Sequence, residues 1–335
     1  MSNSNTPYDD AFRTLLTDCS RLIIPVVNLM FHSNYSADEE VSLFQNESFI
    51  TEGGEEKRIT DSNFSIGSDH KTRYHIECQS STDGSIIVRI FEYATQVAIS
   101  TASSTEKETK FTLPRSGILF LRSSKNTTEH MITVTAPTGE SISYPVPIIR
   151  ICDYTLEQII NSRLWFLIPF YFFNYNLEEM ESSDDMISEM KNTYMNLWCR
   201  LNEFVDNGCI SEFEKLAVKA MSNKVAEALS FKFENIKEGV KTVMGGQILD
   251  YEAKRIAREA AAKAAAEATA IAEIKTKEAV AENEKNTTLR KDLEAVKNMI
   301  YFGVSKENIL SKYPQEIYDK AVKLIEQESK EPKEM

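Results

Sequence analysis

Apolar positions recur at helical spacing near the start of the chain. Phe12, Leu15, Leu16, Leu22, Ile23, Val26, Val27, Met30 and Phe31 predict a helix, with Pro25 placed to kink or divide it. From Glu56 to Ser81 the pattern becomes that of a hairpin. Ile59, Phe64 and Ile66 lead to a Gly67-Ser68-Asp69 turn and then to a strand over Tyr74 to Ser80. Asp83-Gly84 marks another turn, and Ile86 to Ile99 is helical, with Ile86, Ile90, Tyr93 and Val97 on one stripe. Residues 117–121 read as a buried strand, and residues 132–134 and 141–144 as a hairpin around Pro137-Thr138-Gly139. Residues 145–149 form an extended strand that returns to the core.

Beyond Asp153 the periodicity is helical. Thr155 and Gln158 have the spacing of a capping box, and helices follow to about residue 242. The apolar run from Leu164 to Phe173, interrupted by Pro169, is too short to cross a bilayer and reads as a buried element. Gly245-Gly246 breaks the pattern. A long Ala-rich helix then runs from about Gln247 to Lys285, with almost no large apolar stripe. A spacer or oligomerising arm and a plain solvated helix are the two readings of it. Residues 289–327 form a small helical unit with Ser305 as a cap. Its helices lack a strongly basic recognition face, which favours packing or protein docking over DNA reading.

Composition narrows the class. The chain has 335 residues, of which 42% are apolar and 27% charged, as in globular proteins. Its five cysteines are odd in number and form no close CxxC pair, so they read as reduced thiols in a cytoplasmic protein. The polar N-terminus shows no signal peptide, and no membrane association is expected. A net charge of −13 argues against an obligate nucleic-acid binder, although it leaves room for a local basic patch. Lys107, Lys110, Arg115, Arg122 and Lys125 form the densest run of cations in the first half. They read either as a DNA-contacting patch or as a solvated loop and strand edge.

The candidate chemistry lies on the strand after Arg73. Alternation turns Tyr74, Ile76 and Cys78 to one face and His75, Glu77 and Gln79 to the other. Arg58-Ile59-Thr60-Asp61, which begins sixteen residues before Tyr74, ends in a second acid. Two carboxylates converging from paired strands, with an amide beside them, can hold a divalent metal and orient a water or a phosphate. A half-buried strand with a solvated polar face gives the same spacing. Arg89 and Tyr93, four apart on the next helix, can both face the strands. Arg89 then holds a carboxylate or phosphate, or makes a structural salt bridge.

The chain resembles the recombination-promoting nucleases of the Rpn type, the PD-(D/E)xK nuclease-family transposases. The residues that carry the likeness are Tyr8-Asp9-Asp10-Ala11-Phe12-Arg13, Leu22 to Asn28, Arg58 to Ser62, Tyr74 to Ser80 and Val88 to Tyr93. Leu113-Pro114-Arg115-Ser116, Asp153-Tyr154-Thr155-Leu156 and Val243-Met244-Gly245-Gly246 continue it, in order, to about residue 250. The resemblance implies a mixed α/β core of the PD-(D/E)xK, restriction-endonuclease-like type and hydrolysis of DNA phosphodiesters with Mg²⁺ or Mn²⁺. Asp61 and Glu77, with the backbone carbonyl of Cys78, become the metal ligands. Gln79 takes the position of the family lysine, and Arg89 is a further catalytic candidate. Asp10 faces the metal in the resemblance, and caps the first helix as an equally good reading. Thr60 replaces the proline of the motif name, a position without chemistry. Gln79 replaces a cation with a neutral amide, a change that bears directly on the chemistry.

The expected organisation is a nuclease core over residues 1–152 and a helical extension packed on it over 153–246. A long helix over 247–286 and a C-terminal helical unit over 287–335 follow. The expected partners are DNA and a second copy of the chain through the long helix. A DNA-binding or adaptor module that keeps the fold without cutting, and a scaffold that contacts only proteins, are the competing expectations.

Overall fold

The computed structural model describes residues 6–44, 49–51, 54–56, 62–67, 72–80, 84–122, 126–245 and 248–328. They form an α/β protein built on one mixed six-stranded sheet with many helices.

The first apolar stretch is divided, as expected, but before Pro25. Helix α1 (Pro7–Asp18) ends at Cys19, a 3-10 turn covers Ser20–Ile23, and α2 (Ile24–Phe31) follows. Pro25 sits in the first turn of α2, where its missing N–H costs no hydrogen bond. Thr6 caps α1 by accepting from the Asp9 N–H, while the Asp9 carboxylate accepts from the Thr6 N–H.

The sheet strands are β1 (Val41–Leu43), β2 (Phe64–Ile66), β3 (Arg73–Gln79), β4 (Arg115–Phe120), β5 (Glu129–Thr135) and β6 (Ser141–Arg150). Their order is β1-β2-β3-β4-β6-β5. β3, β4 and β6 run parallel at the centre, with Glu77 opposite Ile118 and Ile118 opposite Ile148. The outer pairs are antiparallel. Ile59, Thr60 and the Ser68-Asp69 part of the expected turn lie outside the described residues. Gly67, with φ of 86°, ends β2 in a conformation open to glycine.

Two expected strands, 141–144 and 145–149, are one. Ile148 donates to the Thr128 carbonyl at 2.8 Å, so alternate residues of β6 turn their N–H groups toward β5. Pro145 and Pro147 therefore present their missing donors to the other side, where β4 pairs only from Ile148 onward.

Both sheet faces are covered. Tyr74, Ile76, Cys78 and Leu119 join the main apolar cluster with Phe12, Leu15, Val26 and Val27 of α1 and α2. Helix α3 (Ile86–Ser100) lies on the opposite face, where Ile86 and Ile90 meet Ile118, Phe120, Ile132 and Val146. The residues after Asp153 extend the main cluster, so the core and the helical extension share one interior. Thr155 and Gln158 form the expected capping box before the short helix Leu156–Asn161. The apolar run is a 3-10 helix, Trp165–Asn174, with Phe166, Phe170 and Phe172 fully buried. Three long helices follow: α4 (Asp184–Asp206), α5 (Glu212–Leu229) and α6 (Glu234–Met244).

The chain divides into two compact units, Met1–Lys254 and Arg255–Met335. Helix α7 (Ile248–Tyr301) runs well past the expected end near Lys285. No Gly or Pro interrupts it before Gly303, whose φ is 76°. In the second unit Val296 packs with Ile309 of α8 (Lys306–Leu310, capped by Ser305) and Ala321 of α9 (Gln315–Glu328). No single helix among the described residues is long and apolar enough to cross a membrane.

Candidate active site on the central parallel strand

The face of β3 that carries His75, Glu77 and Gln79 is an ordered polar cluster beneath α3. Glu77 is 4% exposed and His75 1%. His75 Nε2 lies 3.0 Å from Glu77 Oε1, and Gln79 Nε2 donates to Glu77 Oε2 at 3.3 Å. A long contact of 3.5 Å joins His75 Nδ1 to the Ser116 hydroxyl of β4. A proton on Nε2 satisfies both contacts, since Nδ1 then accepts from Ser116 while Nε2 donates to the carboxylate. The edge of His75 also meets the Tyr93 ring of α3, with centroids 5.6 Å apart and planes at 87°. His75 is thus a satisfied strand histidine that fixes the direction of Glu77.

Arg89 and Tyr93 share one face of α3 by their spacing, and Gln96, one turn further on, lies close to it. Arg89 Nε and Nη2 and Gln96 Oε1 are all buried without a hydrogen-bond partner. A buried, unpaired polar group costs about 1–3 kcal/mol, and more for a charged one. The helix that touches His75 therefore carries unused donors and an unused acceptor, and no structural salt bridge uses these two nitrogens.

Asp61 lies outside the described residues. Ser62, which follows it, is 3% exposed and bonds both main-chain polar groups of Ile76: its hydroxyl accepts from the N–H at 2.8 Å and donates to the carbonyl at 2.9 Å. Strand alternation directs the carbonyl of Cys78 to the same edge as that of Ile76. The Glu77 carboxylate and the Cys78 carbonyl are hard oxygen donors, the type that Mg²⁺ and Mn²⁺ prefer. Among the described residues no third His, Cys, Asp or Glu joins His75 and Glu77 to complete a metal-binding group.

The remaining sequence candidates fall elsewhere. The Asp10 carboxylate is held by Lys224 of α5, so the structure engages it in an ion pair between helices. The cationic run does not form one patch. Lys107 is an exposed loop residue and Lys110 lies on the small exposed hairpin of Ser103–Ser104 with Thr109–Lys110. Arg115 donates to the Phe31 carbonyl at 2.9 Å and lies over the Phe31 ring. Arg122 follows the far end of β4, over the Phe173 ring, and Lys125 lies outside the described residues.

The sequence assigns no role to Ser62, Ser116 or Gln96, although Ser62 and Ser116 stand in two of the stretches that carry the resemblance. No family model, curated protein or solved structure matches the chain.

Proposed function

We propose that the chain is a metal-dependent endonuclease of the PD-(D/E)xK type that hydrolyses DNA phosphodiesters. The observation that carries this reading is the buried Glu77 carboxylate, directed by His75 and Gln79, on the sheet face covered by the helix whose Arg89 leaves Nε and Nη2 without a hydrogen-bond partner. An acid so placed would supply a metal ligand, and a guanidinium with two unpartnered nitrogens is suited to a phosphate oxygen.

Glu77 and the Cys78 carbonyl, with Asp61 as the second acid, would hold Mg²⁺ or Mn²⁺. Such an ion polarises a scissile phosphate and lowers the pKa of an attacking water. His75 keeps Glu77 in one orientation, Gln79 offers an amide donor to the phosphate or the water, and Arg89 binds a non-bridging phosphate oxygen. The neutral Gln79 favours a second reading, a DNA-binding or adaptor module with the same fold and little or no cleavage.

The deciding experiment follows conversion of supercoiled plasmid to nicked or linear DNA with Mg²⁺ or Mn²⁺. Cleavage by the wild type, lost with EDTA and in Glu77→Ala and Asp61→Ala, is the expected result. A folded wild-type protein that binds DNA without cutting it would replace this reading with the second one.

A further inference from the structure

A concavity opens at the carboxyl ends of the parallel strands. Leu121, the residue after β4, donates its N–H to the Gln79 carbonyl at the end of β3 at 2.8 Å. Beside it lies a cavity of about 410 Å³, walled by Arg122, Cys152, Tyr154, Tyr171, Phe173 and Asn174. That volume falls within the roughly 300–1,000 Å³ of small-molecule sites. Sheets with parallel strands commonly hold ligands at this end.

The chemistry of the wall is selective. Among the described residues Asp153 is the one carboxylate on it, and Arg150 holds that group with Nε and Nη2, each at 2.8 Å from Oδ2. The negative charge is thereby matched. The Arg122 guanidinium lies 5.1 Å from the centroid of the Phe173 ring, and no described carboxylate pairs with it. Among the described residues the cavity therefore has one cation in excess, set among aromatic rings. Burial, and after it the adjacent Asp153, push the Tyr154 phenol above its ordinary value against a smaller pull from Arg150, so it stays a hydrogen-bond donor. Asn174 Nδ2 donates to the Ile151 carbonyl at 3.4 Å.

We propose that this cavity binds a nucleotide unit, with an unstacked base against the Tyr154 and Tyr171 rings and its phosphate on Arg122. Stacking on aromatic rings next to a cation is how unpaired bases are held without regard to sequence. Neither an apolar ligand nor a cation would use the excess guanidinium. The strand whose phosphodiester lies at Glu77 is one source of such a unit, and that assignment rests on the nuclease reading. A free nucleotide offers the same chemistry.

The test uses the full chain at low salt in EDTA, with a short single-stranded oligothymidylate and with thymidine 5′-monophosphate as probes. Alkylation of Cys152 by iodoacetamide is followed by peptide mass mapping, which separates it from Cys199. The oligonucleotide is expected to slow alkylation of Cys152 and to bind with an affinity that falls about tenfold or more in Arg122→Ala and Tyr171→Ala. Thermal melts check that both variants are folded. Equal protection by the mononucleotide at the same concentration would assign a free nucleotide as the source, and protection by the oligonucleotide alone would assign the strand. No protection by either probe, or protection unchanged in Arg122→Ala, overturns the proposal. The plasmid assay separates the two ideas. Nicking without Cys152 protection leaves the nuclease reading and removes the pocket, while protection without nicking does the reverse.

Discussion

The Ser62 hydroxyl bonds both main-chain polar groups of Ile76, at 2.8 Å to the N–H and 2.9 Å to the carbonyl. One side chain thus does what a neighbouring strand would do, because among the described residues β2 pairs with β3 only at Phe64–Tyr74 and Ser65–Arg73. The strand is held in register one residue before Glu77. Ser62→Ala leaves two buried main-chain groups without that partner and is expected to lower stability by about 2 kcal/mol. Urea unfolding measures it. A loss below about 0.5 kcal/mol would show that water or the backbone replaces the hydroxyl.

A second expectation concerns acid. Glu214 is 5% exposed and accepts from Arg21 Nε and from Nη2 (2.6 Å), as well as from the Ser211 hydroxyl at 2.6 Å and its N–H at 2.8 Å. Burial alone would raise its carboxyl pKa. The bonds from Arg21 and Ser211 outweigh that and hold it below its ordinary value of 4.5. For an acid whose folded pKa is depressed, the stabilisation is full above the unfolded value and is lost as pH falls through the folded one. Wild-type stability should therefore decline below about pH 4.5 more steeply than that of Glu214→Gln, which is less stable at neutral pH. Melting temperatures across an acid series measure both slopes, and parallel slopes would exclude Glu214 as a source of acid sensitivity.

These features differ in how legible they are in the sequence. The two faces of β3 follow from a period of two, so Glu77 and Gln79 on one side and Ile76 on the other could be read directly. The α3 stripe and the Thr155 capping box are equally local. The 3-10 helix Trp165–Asn174 could not be read, because a run apolar on every side has no period. Strand order and the closure of His75 against Tyr93 depend on contacts distant in sequence. The same is true of the cavity wall, whose Arg122, Tyr154 and Tyr171 stand far apart along the chain. Asp10 shows the opposite limit. The sequence offers it to a metal site, through the resemblance, or to a helix cap, and does not reveal Lys224, more than two hundred residues away, which holds its carboxylate.

The approach of α2 to the sheet gives a third expectation. A Cβ on Gly117 would collide with Met30 Sδ and lie 3.1 Å from Phe31 Cζ. Met30 and Phe31 are buried, 4% and 6% exposed, so neither can swing freely into solvent. Gly117→Ala is expected to cost about 1–3 kcal/mol through overpacking. Adding Met30→Ala should recover part of that loss by vacating the space, so the double variant should be more stable than the two single losses predict. Strict additivity in urea unfolding would place the strain elsewhere.

Gln79 bears most directly on the proposed cleavage. Its amide donates to Glu77 Oε2 at 3.3 Å from the half-exposed end of β3, so a longer chain at this position can extend toward solvent without disturbing the core. Gln79→Lys replaces a neutral donor with an ammonium beside the carboxylate and the proposed phosphate. An ammonium there stabilises developing negative charge more strongly than an amide does. The expected outcome is a nicking rate about tenfold higher than wild type, a barrier change of about 1.4 kcal/mol. The gain should vanish in Gln79→Lys combined with Glu77→Ala, because under the proposed function a cation without Glu77 would have no metal-held water to act upon. An unchanged rate in Gln79→Lys would show that the amide is not the limiting group. A gain that survives loss of Glu77 would remove this cluster as the site of cleavage.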